Sequence, residues 1–245
     1  MKFYIYGNKG KIGEIVTHYC HLMKIPLVDE PLQADCWFLA VPSSSVSHLL
    51  NQREHRGVID LSGYCKRHNI GIYGVLDERL NRSSKIIQNP GCFASSVIEA
   101  FKRSGLDPHQ LDGSVSITSI GGASVAHRSE QAGLRLSKRL WDHPHVQEIE
   151  SVITGLEISH FTPIITHSQP HGICSLISGR LAHPIHIQSP PPFDLEEVLG
   201  GSQVKWNWRV DSSAKRFVLS CVLDNLHFPA HHAVMIAQHL MTSEY

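Results

Sequence analysis

The sequence predicts a two-lobed α/β protein, in which a parallel-sheet lobe opens the chain and an α+β lobe with a mixed or antiparallel sheet follows. Three observations predict it. Short apolar runs alternate with helical patterns over the first 90 residues, glycines punctuate the first strand-to-helix turn, and after residue 90 the strand-like runs lengthen with few helices between them. The lobes are expected at 1–90 plus 226–245 and at 91–225, because the last helical segment, PAHHAVMIAQHLM, has the apolar positions Ala233, Val234, Ile236, Ala237 and Leu240 to pack back on the first lobe.

In order along the chain, KFYIY reads as a strand, GNKGKIG as a turn and KIGEIVTHYCHLMK as an amphipathic helix, with Ile12, Ile15, Val16, Tyr19, Cys20 and Met23 at helical spacing. Gly7, Gly10 and Gly13 allow a tight turn, close approach of backbone N–H groups to a pyrophosphate and tight packing of helix on strand. This is the opening of a Rossmann-type dinucleotide-binding unit. The flanking strand and helix carry the reading, since GxxGxxG alone is a weak pattern. IPLVD follows as a second strand, CWFLAVP as a third ending at Pro42, SSVSHLLNQ as a helix, and GVIDLSG as a fourth strand ending near Ser62. Parallel strands present their carboxyl ends together, so Gly7–Gly13, Pro42, Ser43 and Ser62 are expected to line a cofactor crevice. Asp29 and Glu30, 16 and 17 residues beyond Gly13, stand where a carboxylate accepts from a ribose 2′-OH and repels a 2′-phosphate. The other reading of Asp29 points it to solvent.

In the second lobe SVSITSI, GICSLISGRLAHPIHI and RFVLSCVLDNL read as strands, while the three prolines of PIHIQSPPPFD mark a loop. The lobe begins at NPGC, with Cys92 at the start of the helix FASSVIEAFKRSG. Unpaired N–H groups and the positive end of the helix dipole favour a thiolate there, as covalent catalysis requires. The other cysteines, Cys20, Cys36, Cys65, Cys174 and Cys221, lie far apart with no CxxC pair and read as buried, reduced thiols rather than a disulfide framework.

Composition excludes several classes of partner. Lys+Arg and Asp+Glu are both 22, so no net field argues for nucleic acid or an anionic membrane, and a small molecule is the expected partner. No signal-like or 18-residue apolar run is visible, which makes the cytoplasm the expected location. Zinc ligation by His143, His145, His231 and His232 lacks ligand spacing, and no metal is expected.

NPGC after a dinucleotide-binding lobe resembles the N-acetyl-gamma-glutamyl-phosphate reductases, within the wider semialdehyde dehydrogenase group. GNKGKIG is similar to that family's glycine turn, FLAVPSS to its LALP segment, IDLSGYCK to DLSADFR, IGGASVAHRS to KSGVSGAGRS, HPHVQEIES to HRHTPEIEQ, and VLDNLHFPAHHAVMIAQHLM to its terminal segment. The resemblance implies that Cys92 attacks an acyl phosphate to form a thioester, which NADPH reduces to an aldehyde; Asp29, against the resemblance, leaves NAD as a possible cofactor. It implies acid–base roles for His145 and, less directly, His143, a group near neutral pKa being what thiohemiacetal chemistry needs. It also places Gly7, Gly10, Lys11, Ile12, Gly13, Asp29, Pro42, Ser43, Ser62, Gly122 and Asn225 at the cofactor, and Lys66, Arg67, Asn89, Ser124, Arg128, Glu148 and His171 at the substrate, Glu148 orienting either His145 or the substrate.

The chain departs from the family where Lys66 replaces the arginine of DLSADFR, where NPGCFAS replaces NPGCYPT, and where His171 replaces an arginine. The chain is also shorter than usual for the family. The expected function is reduction of N-acetyl-γ-glutamyl phosphate, with release of phosphate, by a homo-oligomer, dimer or tetramer. A related dehydrogenase using aspartyl or aminoadipyl phosphate and a non-catalytic dinucleotide-binding protein are the alternatives.

Overall fold

A computed structural model describes residues 1–53, 56–76, 80, 83, 85–125, 135–136, 143–185, 189–211 and 215–242. The chain divides into two compact units, Met1–Pro90 with Pro229–Tyr245, and Gly91–Phe228. The first unit contains β1 (Phe3–Tyr6), α1 (Lys11–Leu22), β2 (Cys36–Leu39), α2 (Val46–Gln52), β3 (Gly57–Asp60), α3 (Tyr64–Arg67), β4 (Ile72–Tyr73) and β5 (Ile86–Gln88). The second contains α4 (Cys92–Ser104), β6 (Val115–Gly121), β7 (Arg135–Leu136), α5 (Pro144–Val152), β8 (Ile158–Ile165), β9 (Ile173–Arg180), β10 (Val204–Asp211) and β11 (Arg216–Leu223). Helix α6 (His227–Thr242) closes the chain and joins the first unit from Pro229 onward. None of the described helices is long and apolar enough to cross a membrane.

The first unit is a parallel sheet in the order β1-β2-β3-β5-β4. All four residues of β2, CWFL, are buried, the signature of a parallel strand covered on both faces. On one face Phe3, Ile5, Phe38 and Ile59 meet Val16 and Cys20 of α1 and Ala233, Val234 and Ala237 of α6. On the other, Trp37, Leu39 and Val58 meet Val46 of α2 and Cys65 of α3.

The expected strand IPLVD is reduced to a single parallel bridge, Leu27 to Phe3, on the free edge of β1. Pro26 explains the shortening. It has no N–H to donate, and its carbonyl accepts from Phe3 N while Val28 N donates to Phe3 O. Asp29 and Glu30 lie just beyond, both exposed.

The second unit is a mixed sheet in the order β10-β11-β9-β6-β8-β7, parallel only between β6 and β8 among the described pairs. One face is packed by α4 and α5, whose Phe93, Val97, Phe101 and Ile149 join Ile117, Ile177 and Leu219 in the core. Ile120, Leu176 and Val218 on the opposite face remain exposed. Helix α4 ends at Gly105, whose φ of +68° is the left-handed cap that a side chain would strain. Strands β8 and β10 are absent from the strands read from sequence. Pro163 lies inside β8 and disguises it, and the strand expected from Gly172 onward stops at Arg180, well before the prolines.

Candidate active site

At the carboxyl end of β1, Gly7 takes φ +82°, and a Cβ there would stand 2.4 Å from the carbonyl oxygen of Ala40. A Cβ on Gly13 would stand 2.0 Å from Gly7 O, so the helix can approach the strand only because both residues are glycine. Gly10 differs. Its N–H donates to Gly7 O at 2.9 Å, and its Cβ would meet only that same oxygen, at 3.2 Å, before open space. No side chain caps α1, so the amides of Lys11, Ile12 and Gly13 stand at the turn with a glycine-shaped cradle before them. That arrangement fits the pyrophosphate of a dinucleotide.

The parallel sheet brings the turns after β2 and β3 to the same edge. Pro42 and Ser43 open a short 3-10 turn there. Ser62 is held by the fully buried Asp60, whose Oδ1 accepts from Ser62 N at 2.8 Å and Ser62 Oγ at 2.5 Å, while Oδ2 accepts from Cys65 N at 2.8 Å. Sequence reading passed over Asp60; its signal was a carboxylate ending an otherwise apolar strand. Lys66, half-buried, and Arg67, exposed, lie on α3. Asn89 is buried, its Nδ2 donating to Pro229 O at 3.1 Å and its Oδ1 3.2 Å from His232 Nδ1.

In the second unit Cys92 is the first residue of α4, behind Gly91, which offers no side-chain cap. The helix is pinned from beneath by three buried hydroxyls. Ser96 Oγ donates to Phe93 O and lies 2.5 Å from Ser175 Oγ on β9, which lies 2.7 Å from Ser119 Oγ on β6. Above, Glu148 of α5 accepts from Gly91 N–H at 2.9 Å through Oε2, and its Oε1 lies 3.8 Å from His145 Nε2. The His145 ring meets Phe93 edge-on with centroids 5.7 Å apart. His145 therefore packs on the residue after Cys92, while its carboxylate partner holds the amide of the residue before. His143 caps the N-terminus of α5 and stacks on His145, with 4.8 Å between centroids and 16° between planes.

Burial separates the other thiols from this setting. It pushes Cys20, Cys36 and Cys65 up to about 12 and raises Cys174 and Cys221 as well. A thiol so shifted remains protonated and inert at neutral pH.

A loop cluster gathers four further expected residues. Gly122 N donates to Gly172 O at 2.9 Å, Gly172 N to Asn225 Oδ1 at 2.6 Å, and Asn225 Nδ2 to Ser124 Oγ at 3.0 Å. His171 Nε2 lies 3.5 Å from Asp224 Oδ2. Asp224 is fully buried and also accepts from the amides of Gly200, Leu226 and His227, a hub visible in sequence only as the dipeptide between the last strand and last helix. Arg128 lies outside the described residues.

No family model matches the chain. It is 32% identical over 196 residues to the N-acetyl-gamma-glutamyl-phosphate reductase of Chlorobaculum tepidum, a match covering 63% of this chain and 55% of that protein. The chain spans between about half and two thirds of the length of the reductases it matches. In three dimensions it is similar to aspartate semialdehyde dehydrogenase II of Vibrio cholerae complexed with ASA, with a TM-score of 0.77 at 14% identity, over 100% of this chain and 99% of the other. It is also similar to the aspartate semialdehyde dehydrogenase of Candida albicans with NADP, with a TM-score of 0.65 at 12% identity, over 98% of each chain. At such identities the likeness is one of fold: the parallel sheet and the mixed sheet are those of the semialdehyde dehydrogenases.

Proposed function

We propose that this chain, a homologue of N-acetyl-gamma-glutamyl-phosphate reductases built on the semialdehyde dehydrogenase fold, reduces an acyl phosphate to a semialdehyde through a thioester on Cys92. The substrate we assign is N-acetyl-γ-glutamyl phosphate, reduced to N-acetylglutamate semialdehyde, a step of arginine biosynthesis. The observation that carries the reading is Glu148, which holds the amide preceding Cys92 with one oxygen and faces His145 with the other.

Cys92 Sγ, as thiolate, attacks the acyl carbon, and the C–O bond to phosphate breaks with its electron pair leaving on phosphate. The glycine cradle at Gly7, Gly10 and Gly13 and the amides of Lys11 and Ile12 would hold a nicotinamide dinucleotide, which in its reduced form supplies a hydride to the thioester carbon. His145 gives a proton to the resulting oxyanion and takes it back as the C–S bond breaks, releasing the aldehyde and restoring the thiolate. Glu148 orients His145. Lys66, Arg67 and His171, the last 3.5 Å from Asp224 Oδ2, are the cationic or protonatable groups we assign to the anionic oxygens of the substrate; Asn89 also bonds Pro229 and His232 of α6, and Ser124 and Asn225 bond each other.

NADP is the cofactor we assign, in line with the Candida albicans protein solved with NADP, and the reading places the protein in the cytoplasm. Ile120, Leu176 and Val218, exposed on the sheet face opposite α4 and α5, support self-association.

The test is phosphate-dependent oxidation of N-acetylglutamate semialdehyde and aspartate semialdehyde with NADP and with NAD. Faster turnover of the acetylated substrate by at least about tenfold is expected, roughly the discrimination a few recognition contacts provide. Preference for aspartate semialdehyde would overturn the substrate, and no phosphate-dependent turnover of either would favour a non-catalytic dinucleotide-binding protein.

A further inference from the structure

His143 and His145 meet through like atoms, His143 Nδ1 and His145 Nδ1 being 3.0 Å apart. A second contact fixes which one carries the proton. The backbone N–H of His145 donates to His143 Nδ1 at 3.3 Å, and a peptide N–H can only donate, so His143 Nδ1 presents its lone pair. Two ring lone pairs at 3.0 Å would repel. The contact is a hydrogen bond only with the proton on His145 Nδ1.

We infer that His143 is a positioning residue that holds His145 in the tautomer protonated at Nδ1, leaving Nε2 as the atom that gains and loses the catalytic proton. The inference rests on the reading of His145 as acid–base, and it separates the two histidines that the resemblance groups together. His143 stacks on His145 at 16°, so the ring plane is held along with the proton. Nε2, 3.8 Å from Glu148 Oε1, then has an anion beside it whenever it is protonated. In the charged form both ring N–H groups of His145 face acceptors, and in the neutral form only Nδ1 keeps its proton. The rings of Phe93 from α4 and Phe161 from β8 lie against the imidazole and confine it.

The test separates this tautomer from the helix cap that His143 also provides. Long-range proton–nitrogen correlation spectra of the full chain labelled with 15N-histidine, at a pH where His145 is neutral, should show a pyridine-type Nε2 on His145 and a pyridine-type Nδ1 on His143. Assignment follows from the spectra of the single variants. His143→Ser still offers an oxygen to cap α5, but its hydroxyl is too short to reach the ring. It should keep Tm and KM, release His145 to the other tautomer, and lower kcat about tenfold or more, the low end of an acid–base contribution. His143→Asn places Oδ1 where Nδ1 stood, and should recover the tautomer and most of the lost kcat. A pyridine-type Nδ1 on His145 in the unaltered chain, or equal kcat losses in the Ser and Asn variants, would overturn the inference. Failure of the function reading looks different: the tautomer in place and no turnover of any acyl phosphate.

Discussion

Cys92 begins a helix at an uncapped N-terminus, while burial raises the other five thiols, three of them to about 12. Iodoacetamide at pH 7 should therefore label Cys92 before any other cysteine, read by peptide mass spectrometry, and faster labelling of Cys174 would contradict the assignment. Cys92→Ser should abolish turnover while leaving the fold and dinucleotide binding intact. For His145→Asn the expected loss in kcat is about 100-fold, the usual scale of general acid–base catalysis, with the pH profile losing its limb near neutrality. A silent His145→Asn would take the acid–base role from His145, and a silent His143→Asn beside it would remove this motif from the mechanism. Cys92 could be singled out from sequence because a proline-glycine turn and a helical pattern are both local. Glu148 could not be given its partner, because the N–H it accepts belongs to Gly91, 57 residues away in the chain.

The β1–α1 turn separates glycines required by packing from the one that leaves room for a ligand. Gly13→Ala would drive a methyl to 2.0 Å from Gly7 O and should lower Tm by several degrees or prevent folding, read by thermal melts. Gly10→Ala meets only Gly7 O at 3.2 Å and should fold, at a cost of about 1 kcal/mol in helix capping, yet bind NADPH at least about tenfold more weakly. Equal effects of both on binding and Tm would deny the cradle its ligand.

Strand β2 buries Cys36 completely, and its thiol keeps its proton to about 12. The unfolded thiol ionises near pH 8.5. The stability this group contributes is thus intact below that pH and is lost as pH rises towards about 12. Tm should fall between pH 8 and roughly 10.5, and fall less in Cys36→Val; an identical fall in the variant would contradict the shift. The glycine turn and the strand at CWFL were legible because period and punctuation are local signals. The edge segment Ile25–Asp29 read as a strand because its apolar run looks like one, while Pro26 limits it to a bridge. β8 escaped because Pro163 and His160 interrupt its pattern, although its pairing with β6 supplies the continuity.

At the scale of the molecule the proposed chemistry divides between the two units, the first holding the glycine turn and the second Cys92 with His145 and Glu148. In that proposal cofactor preference falls to the first. Asp29 is exposed just past the edge bridge, where a carboxylate suits a ribose hydroxyl better than a 2′-phosphate. NADH should accordingly bind within about tenfold of NADPH, and tight NADPH binding with negligible NADH binding would show that Asp29 does not face the ribose. The chain spans only part of the length of its reductase relatives, which makes turnover itself the most consequential expectation. The most direct measurement is the intact mass of the protein after brief exposure to N-acetyl-γ-glutamyl phosphate in the absence of any dinucleotide. The account predicts an increase of one N-acetylglutamyl acyl group, located on Cys92 by peptide mapping and absent from Cys92→Ser; no acylation, or acylation elsewhere in the chain, would contradict it.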